Sequence, residues 1–244
     1  MDRTFLPEHR WDRNAFAGFV ILIWAGLLMG FVPEILRQVA ARGFHYPLIL
    51  HLHAFLFVGW VVLLTAQVLL IRFHRLPVHR KLGMLMLGWA AAMTVVGPLT
   101  AWYMSRLEFG TPSSDPTFQA IEYGDILAFA VLIGAAILLR RQPSAHKRLM
   151  LLGTFYITDA GFGRWLGAPL YHWLGDGFAA TMVELFIGPD VLILLLGLYD
   201  LTTRRRLQPA YIWGAVWVLA IQAASAGLWM LPAWKPVATR LIGD

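Results

Sequence analysis

The chain has 244 residues, 59% of them hydrophobic and 14% charged, with a mean hydropathy of +0.63; a soluble domain carries roughly twice that share of charge. It contains no cysteine, which excludes disulfides, thiolate metal sites, iron–sulfur clusters and cysteine nucleophiles. The formal net charge is +6, and its placement along the chain says more than its size.

The first thirteen residues are polar and of mixed charge. The apolar run after them ends in Pro33-Glu34 without a small-x-small cleavage pattern, so it reads as a retained first span. Seven apolar segments appear in all, at 14–32, 48–71, 82–104, 121–139, 149–170, 178–199 and 210–231. Each suits a hydrocarbon core that needs about 20 helical residues. They lack the sustained alternation of barrel strands. The expectation is an all-α fold: one polytopic transmembrane domain over residues 1–244, a bundle of seven helices arranged as one helix plus three hairpins. Between spans, residues 33–47 suggest a short amphipathic helix, and residues 105–120, rich in turn formers, a flexible lid.

Basic residues set the expected orientation. Arg3, Arg10 and Arg13, then Arg72, Arg75, Arg80 and Lys81, then Arg140, Arg141, Lys147 and Arg148, then Arg204, Arg205 and Arg206 all fall on one side of a seven-span chain, fourteen of twenty in all. The positive-inside rule then puts the N-terminus in the cytoplasm and the C-terminus in the periplasm of a bacterial inner membrane. These turns are short and belong to membrane hairpins, which leaves no surface for nucleic acid. A faint repeat links RFHRLPVHRKLGMLML at 72–87 with RRQPSAHKRLMLLGTF at 140–155. Each has a basic stop, a proline, a histidine, two cations and a new span. His79 and His146 are thus helix starts near lipid headgroups, with Lys147 and Arg148 snorkelling toward anionic lipid, or cofactor-binding histidines for haem or a phosphate-bearing ligand on the cytoplasmic side.

Ionisable residues inside spans are expensive and usually functional. Counting 1.5 Å per residue from the outer end places His51, His53, Glu122, Asp125, Arg164 and Glu184 at similar depths, with Asp159 and Asp190 deeper. They suggest one polar pocket open to the periplasmic face, in which Arg164 pairs with Glu184 or Asp159. Histidine with carboxylate suits a transition metal such as zinc or iron. The expected ligands are His51, His53, Asp125 and Glu184. The expected catalytic groups are Glu122 for acid–base work, Asp159, and Arg164 for charge balance.

The hairpin motif HxHAxxFxxW…Q…HRKLG, spanning His51 to Gly83, resembles a family of poorly characterised bacterial inner-membrane proteins with histidine-containing hairpins. That resemblance implies functional histidines at His51, His53 and His79. The HRKLG span start is more loosely similar to that of haem-binding b-type membrane cytochromes, although span four has no histidine. The seven spans with His and Asp also resemble ceramidase-like zinc hydrolases, but span seven offers Gln222 and Ser225 where that group has a histidine pair. A retinal protein is excluded, because the last span holds no lysine and Lys235 lies beyond it.

Together these residues point to an inner-membrane, metal-dependent hydrolase or oxidoreductase acting on a small hydrophobic or amphiphilic substrate. The alternatives are a haem b electron-transfer subunit, with a membrane redox partner, and a transporter or accessory subunit of a membrane complex. In every case membrane lipids are partners.

Overall fold

The computed structural model describes residues 5–6, 8–43, 45–112 and 114–243, apart from the Arg42 side chain. Among them are nine α-helices: α1 Asp12–Arg42, α2 Leu48–Arg72, α3 Leu76–Glu108, α4 Gln119–Leu138, α5 Pro143–Tyr156, α6 Asp159–Leu174, α7 Phe178–Arg204, α8 Pro209–Met230 and α9 Trp234–Gly243. A 3-10 turn, Pro116–Phe118, leads into α4, and the described residues hold no strand. Prolines open α3, α5 and α8, where a missing N–H and a fixed φ suit the first turn.

Six helices, α1 to α4, α7 and α8, are long and apolar enough to cross a membrane. Large apolar side chains such as Leu138, Leu194 and Trp213 point outward, as a lipid-facing surface requires. The fold is therefore an all-α membrane bundle, but its spans differ from the expected seven. The segment 149–170 is no single span. It is divided between α5 and α6, which are separated at Ile157-Thr158. At 1.5 Å per residue the two pieces are roughly 21 and 24 Å long. The pair starts beside the start of α3, through His146 and His79, and ends beside the start of α7, through Tyr171 and Glu184.

Two further expectations change. Residues 33–42 form no separate helix, because α1 runs through Pro33 to Arg42. The stretch before α4 is tied down: Trp229 donates to Asp115 at 3.0 Å and Trp234 to the Thr117 carbonyl at 3.0 Å. Helix α9 packs over it.

The basic end is closed by ion pairs. Arg148 is fully buried; its Nε donates to Asp200 Oδ2 at 2.7 Å, its Nη2 reaches Asp200 Oδ1, and its Nη1 donates to the Ser144 carbonyl at 2.7 Å. Arg204 grips both oxygens of Asp12, at 2.7 and 2.8 Å, and Lys147 reaches the same carboxylate at 2.7 Å. Lys147 and Arg148 thus bind α1 and α7 to α5 rather than snorkel to lipid. The Phe5 ring lies over both the Arg148 and Arg204 guanidinium groups.

Helices approach most closely at glycines. A Cβ on Gly30 of α1 would meet the Gly161 carbonyl oxygen of α6 at 2.0 Å, and one on Gly124 of α4 would meet Ser225 Oγ of α8 at 2.1 Å. Small residues of this kind bring membrane helices into backbone contact. Here they set α6 against α1 and α8 against α4.

Candidate functional site

The break between α5 and α6 follows from local chemistry. Ile157 and Thr158 are β-branched, and the Thr158 hydroxyl donates back to the Phe155 carbonyl at 2.6 Å, a local bond that competes with helix continuation. Helix α6 restarts at Asp159, whose carboxylate is in hydrogen-bond contact with its own backbone and that of Ala160. An acidic residue in the first turn is favoured by the unpaired N–H groups and the helix dipole there.

Asp159 is buried at 6% exposure, and its carboxyl lies against that of Asp125 on α4. Asp125 Oδ1 is enclosed without a hydrogen-bond partner. Glu122, one turn earlier on α4, is within electrostatic reach of Asp159. Tyr156, the last residue of α5, is fully buried. Its hydroxyl has no hydrogen-bond partner, and it is within electrostatic reach of Asp125, Asp159 and Asp190. Asp190 on α7 accepts from Gln222 of α8 at 2.8 Å. Gln119, fully buried at the start of α4, leaves both side-chain polar atoms unpaired.

Three of the expected pocket residues, Glu122, Asp125 and Asp159, therefore form one acidic centre at the helix break, and Asp190 reaches it only by way of Tyr156. The others lie elsewhere. His51 is exposed at the start of α2, with Nδ1 at 3.1 Å from the Pro47 carbonyl. His53 stacks on Phe57 with ring centres 4.0 Å apart and encloses an unpaired Nδ1. Glu184 accepts from the Tyr171 hydroxyl at 2.7 Å and packs on Gly163 and Gly167. Arg164 does not take up the expected ion pair with Glu184 or Asp159. It is exposed, donates to the Ala160 carbonyl at 2.8 Å and covers the Phe31 ring. Among the described residues, no three histidine or carboxylate side chains gather closely enough to hold a metal ion.

Reasoning from the sequence missed Tyr156 and Gln119. An aromatic hydroxyl in the run LLGTFYI passes for apolar filling. The Thr158-Asp159 step, a helix-start signal inside an apolar segment, is the feature that exposes the break.

His79 of α3 and His146 of α5, matching positions of the sequence repeat, bring their ring centres to 6.5 Å with planes at 89°.

No protein-family model matches this chain, and no curated protein or solved structure matches it.

Proposed function

We propose that this protein moves protons across a bacterial inner membrane, using the Asp125–Asp159 pair as the group that takes up and releases them. The observation that carries this reading is the contact between two carboxyl groups at a helix break, beside a buried and unpaired tyrosine hydroxyl. Carboxylates inside a membrane are costly and mark proton or substrate pathways. Broken helices with a mid-membrane site are how many carriers are built. Because no cation among the described residues is in an ion pair with Glu122, Asp125 or Asp159, binding a proton relieves their repulsion and losing it restores it. Glu122 retains accessible surface, whereas Phe129, Leu132, Leu151, Leu152 and Phe155, all buried, fill the space toward the basic end. That seal makes passage depend on movement at the α5–α6 break. With the basic end cytoplasmic under the positive-inside rule, the centre draws protons from the periplasmic side.

The metal-dependent enzyme reading gains less support, because His51, His53, Asp125 and Glu184 would have to act as one ligand set and lie on separate surfaces. The test is proton flux. Purified protein in sealed vesicles containing a pH-sensitive dye, given a potassium diffusion potential, acidifies or alkalinises the lumen faster than empty vesicles do. Asp125→Asn with Asp159→Asn brings the rate down to that of empty vesicles at unchanged helix content. Wild-type flux no faster than empty vesicles, or full flux in the double variant, defeats the reading.

A further inference from the structure

We propose that a groove on α2 at the basic end binds one anionic phospholipid, with its phosphate on the Arg75 guanidinium and one acyl chain along Ala66, Leu69, Leu70 and Phe73. The site is separate from the carboxyl centre and stands or falls independently of the proton reading.

Helix geometry gives the groove its shape. It has a volume of about 620 Å³ and is lined by Ala66, Leu69, Leu70, Phe73 and Arg75. The four α2 residues follow the i, i+3, i+4, i+7 spacing of one helix face. On one flank of that face, Thr65 accepts from Trp24 of α1 at 3.0 Å. On the other, Gln67 donates to the His79 carbonyl of α3 at 3.1 Å. The groove therefore runs along α2 between its contacts with α1 and α3, on the lipid side, where Leu69 and Phe73 are exposed. From Phe73 to Ala66 it is roughly 10 Å long at 1.5 Å per residue. That matches the upper part of an acyl chain in a leaflet whose hydrocarbon is about 15 Å deep.

Charge selects the lipid. The sequence has no acidic residue between Glu34 and Glu108, so the α2–α3 turn offers its cations no carboxylate of its own. Lys147, Arg148 and Arg204 are taken up by Asp12 and Asp200, whereas Arg75 has no ion pair among the described residues. Arg72 bonds only neutral acceptors, the Arg13 carbonyl and Asn14 Oδ1, and adds its charge to the turn. The Arg75 backbone is held in place: its N–H donates to the Leu70 carbonyl at 2.8 Å, and its carbonyl accepts from the His79 N–H at 3.0 Å. A fixed cation at the mouth of an apolar groove between membrane helices suits a lipid phosphate, which a guanidinium holds through two parallel N–H bonds.

The experiment uses the full-length protein in detergent, stripped of lipid, and native mass spectrometry. The probes are phosphatidylglycerol and phosphatidylcholine with the same chains. The expected result is one phosphatidylglycerol per chain at concentrations where phosphatidylcholine does not bind. Arg75→Ala is expected to weaken binding about fivefold, and Ala66→Trp, which fills the groove, by at least as much. Arg141→Ala removes an equal charge from an exposed position outside the groove and is expected to change nothing. Equal losses in the two arginine variants reduce the effect to general surface charge and overturn the site. So do equal binding of phosphatidylcholine and a dimer of this chain that Ala66→Trp disrupts. If a variant does not fold, a phosphatidylglycerol with a photoreactive group in its chain decides on the wild type: crosslinks within residues 66–73 support the site, and crosslinks only elsewhere overturn it.

Discussion

Two buried charged groups sit in this molecule, and they are built on opposite plans. At the basic end, Asp12 and Asp200 face Lys147, Arg148 and Arg204, and nearly every donor has an oxygen to meet. At the α5–α6 break, Glu122, Asp125 and Asp159 stand together with no cation in an ion pair with them among the described residues. Opposite charges that saturate one another fix helices in place. Like charges that crowd one another remain responsive, because the next proton bound or lost changes the energy of all of them. The first group is a fastener and the second a centre that changes state.

The hardest blow falls on the fastener. Asp200→Ala leaves the fully buried Arg148 without its carboxylate, and removing one partner of a buried pair destabilises by about 3–5 kcal/mol. The unfolding midpoint in detergent is expected to fall sharply, and helices α5 and α7 to loosen together. An Asp200→Ala protein as stable as the wild type would remove the distinction drawn above.

Next comes the packing that holds the centre together. Gly30→Ala places a methyl group 2.0 Å from the Gly161 carbonyl oxygen, a backbone atom that cannot swing aside. Helices α1 and α6 must separate, at about 1–3 kcal/mol. Gly18→Ala, on the same helix with open space around its Cβ, serves as the control and is expected to be neutral or stabilising, since alanine favours helix over glycine by about 1 kcal/mol.

The centre itself reverses the pattern. Asp125→Asn relieves crowding among carboxyls and keeps an amide donor for Asp159, so stability is expected to stay within about 1 kcal/mol of wild type. Proton flux is nevertheless expected to vanish, because an amide does not titrate. Loss of stability on the scale of Asp200→Ala would make the centre a second fastener instead.

Much of this was legible in the sequence, for physical reasons that can be named. A span must be apolar over its full length, so α2 at Leu48–Arg72 matches the expected 48–71 almost residue for residue. The repeat placed His79 and His146 one turn into helices that begin at the same end, and their rings meet. Depth counting gathered Glu122, Asp125 and Asp159, because depth follows from rise per residue. It says nothing of rotation about the helix axis, and this is why His51, Glu184 and Arg164, at suitable depths, face other surroundings. The break at Ile157-Thr158 was hidden because hydropathy averages over it. The partner of Arg148 was hidden because Asp200 lies 52 residues away in sequence.

Arg164 gives the mildest and most discriminating test of that last lesson. From depth alone it belongs to the centre, and its removal should then be severe, since it would strip the carboxyls of a counter-charge. In the folded chain it is exposed, holds the Ala160 carbonyl at 2.8 Å and rests on Phe31. Arg164→Ala therefore loses one exposed hydrogen bond and one cation–aromatic contact, about 0.5–1 kcal/mol. Asp159 still feels its charge at a distance, so the expected functional change is a modest shift in the pH at which flux is half-maximal. The sign is fixed by the charge removed. Without a nearby cation the carboxyl pair holds its proton more tightly, and the midpoint moves to higher pH. Flux measured across a pH series separates the two cases: a displaced but intact curve places Arg164 outside the centre, whereas a collapsed one returns it to the centre as a counter-ion.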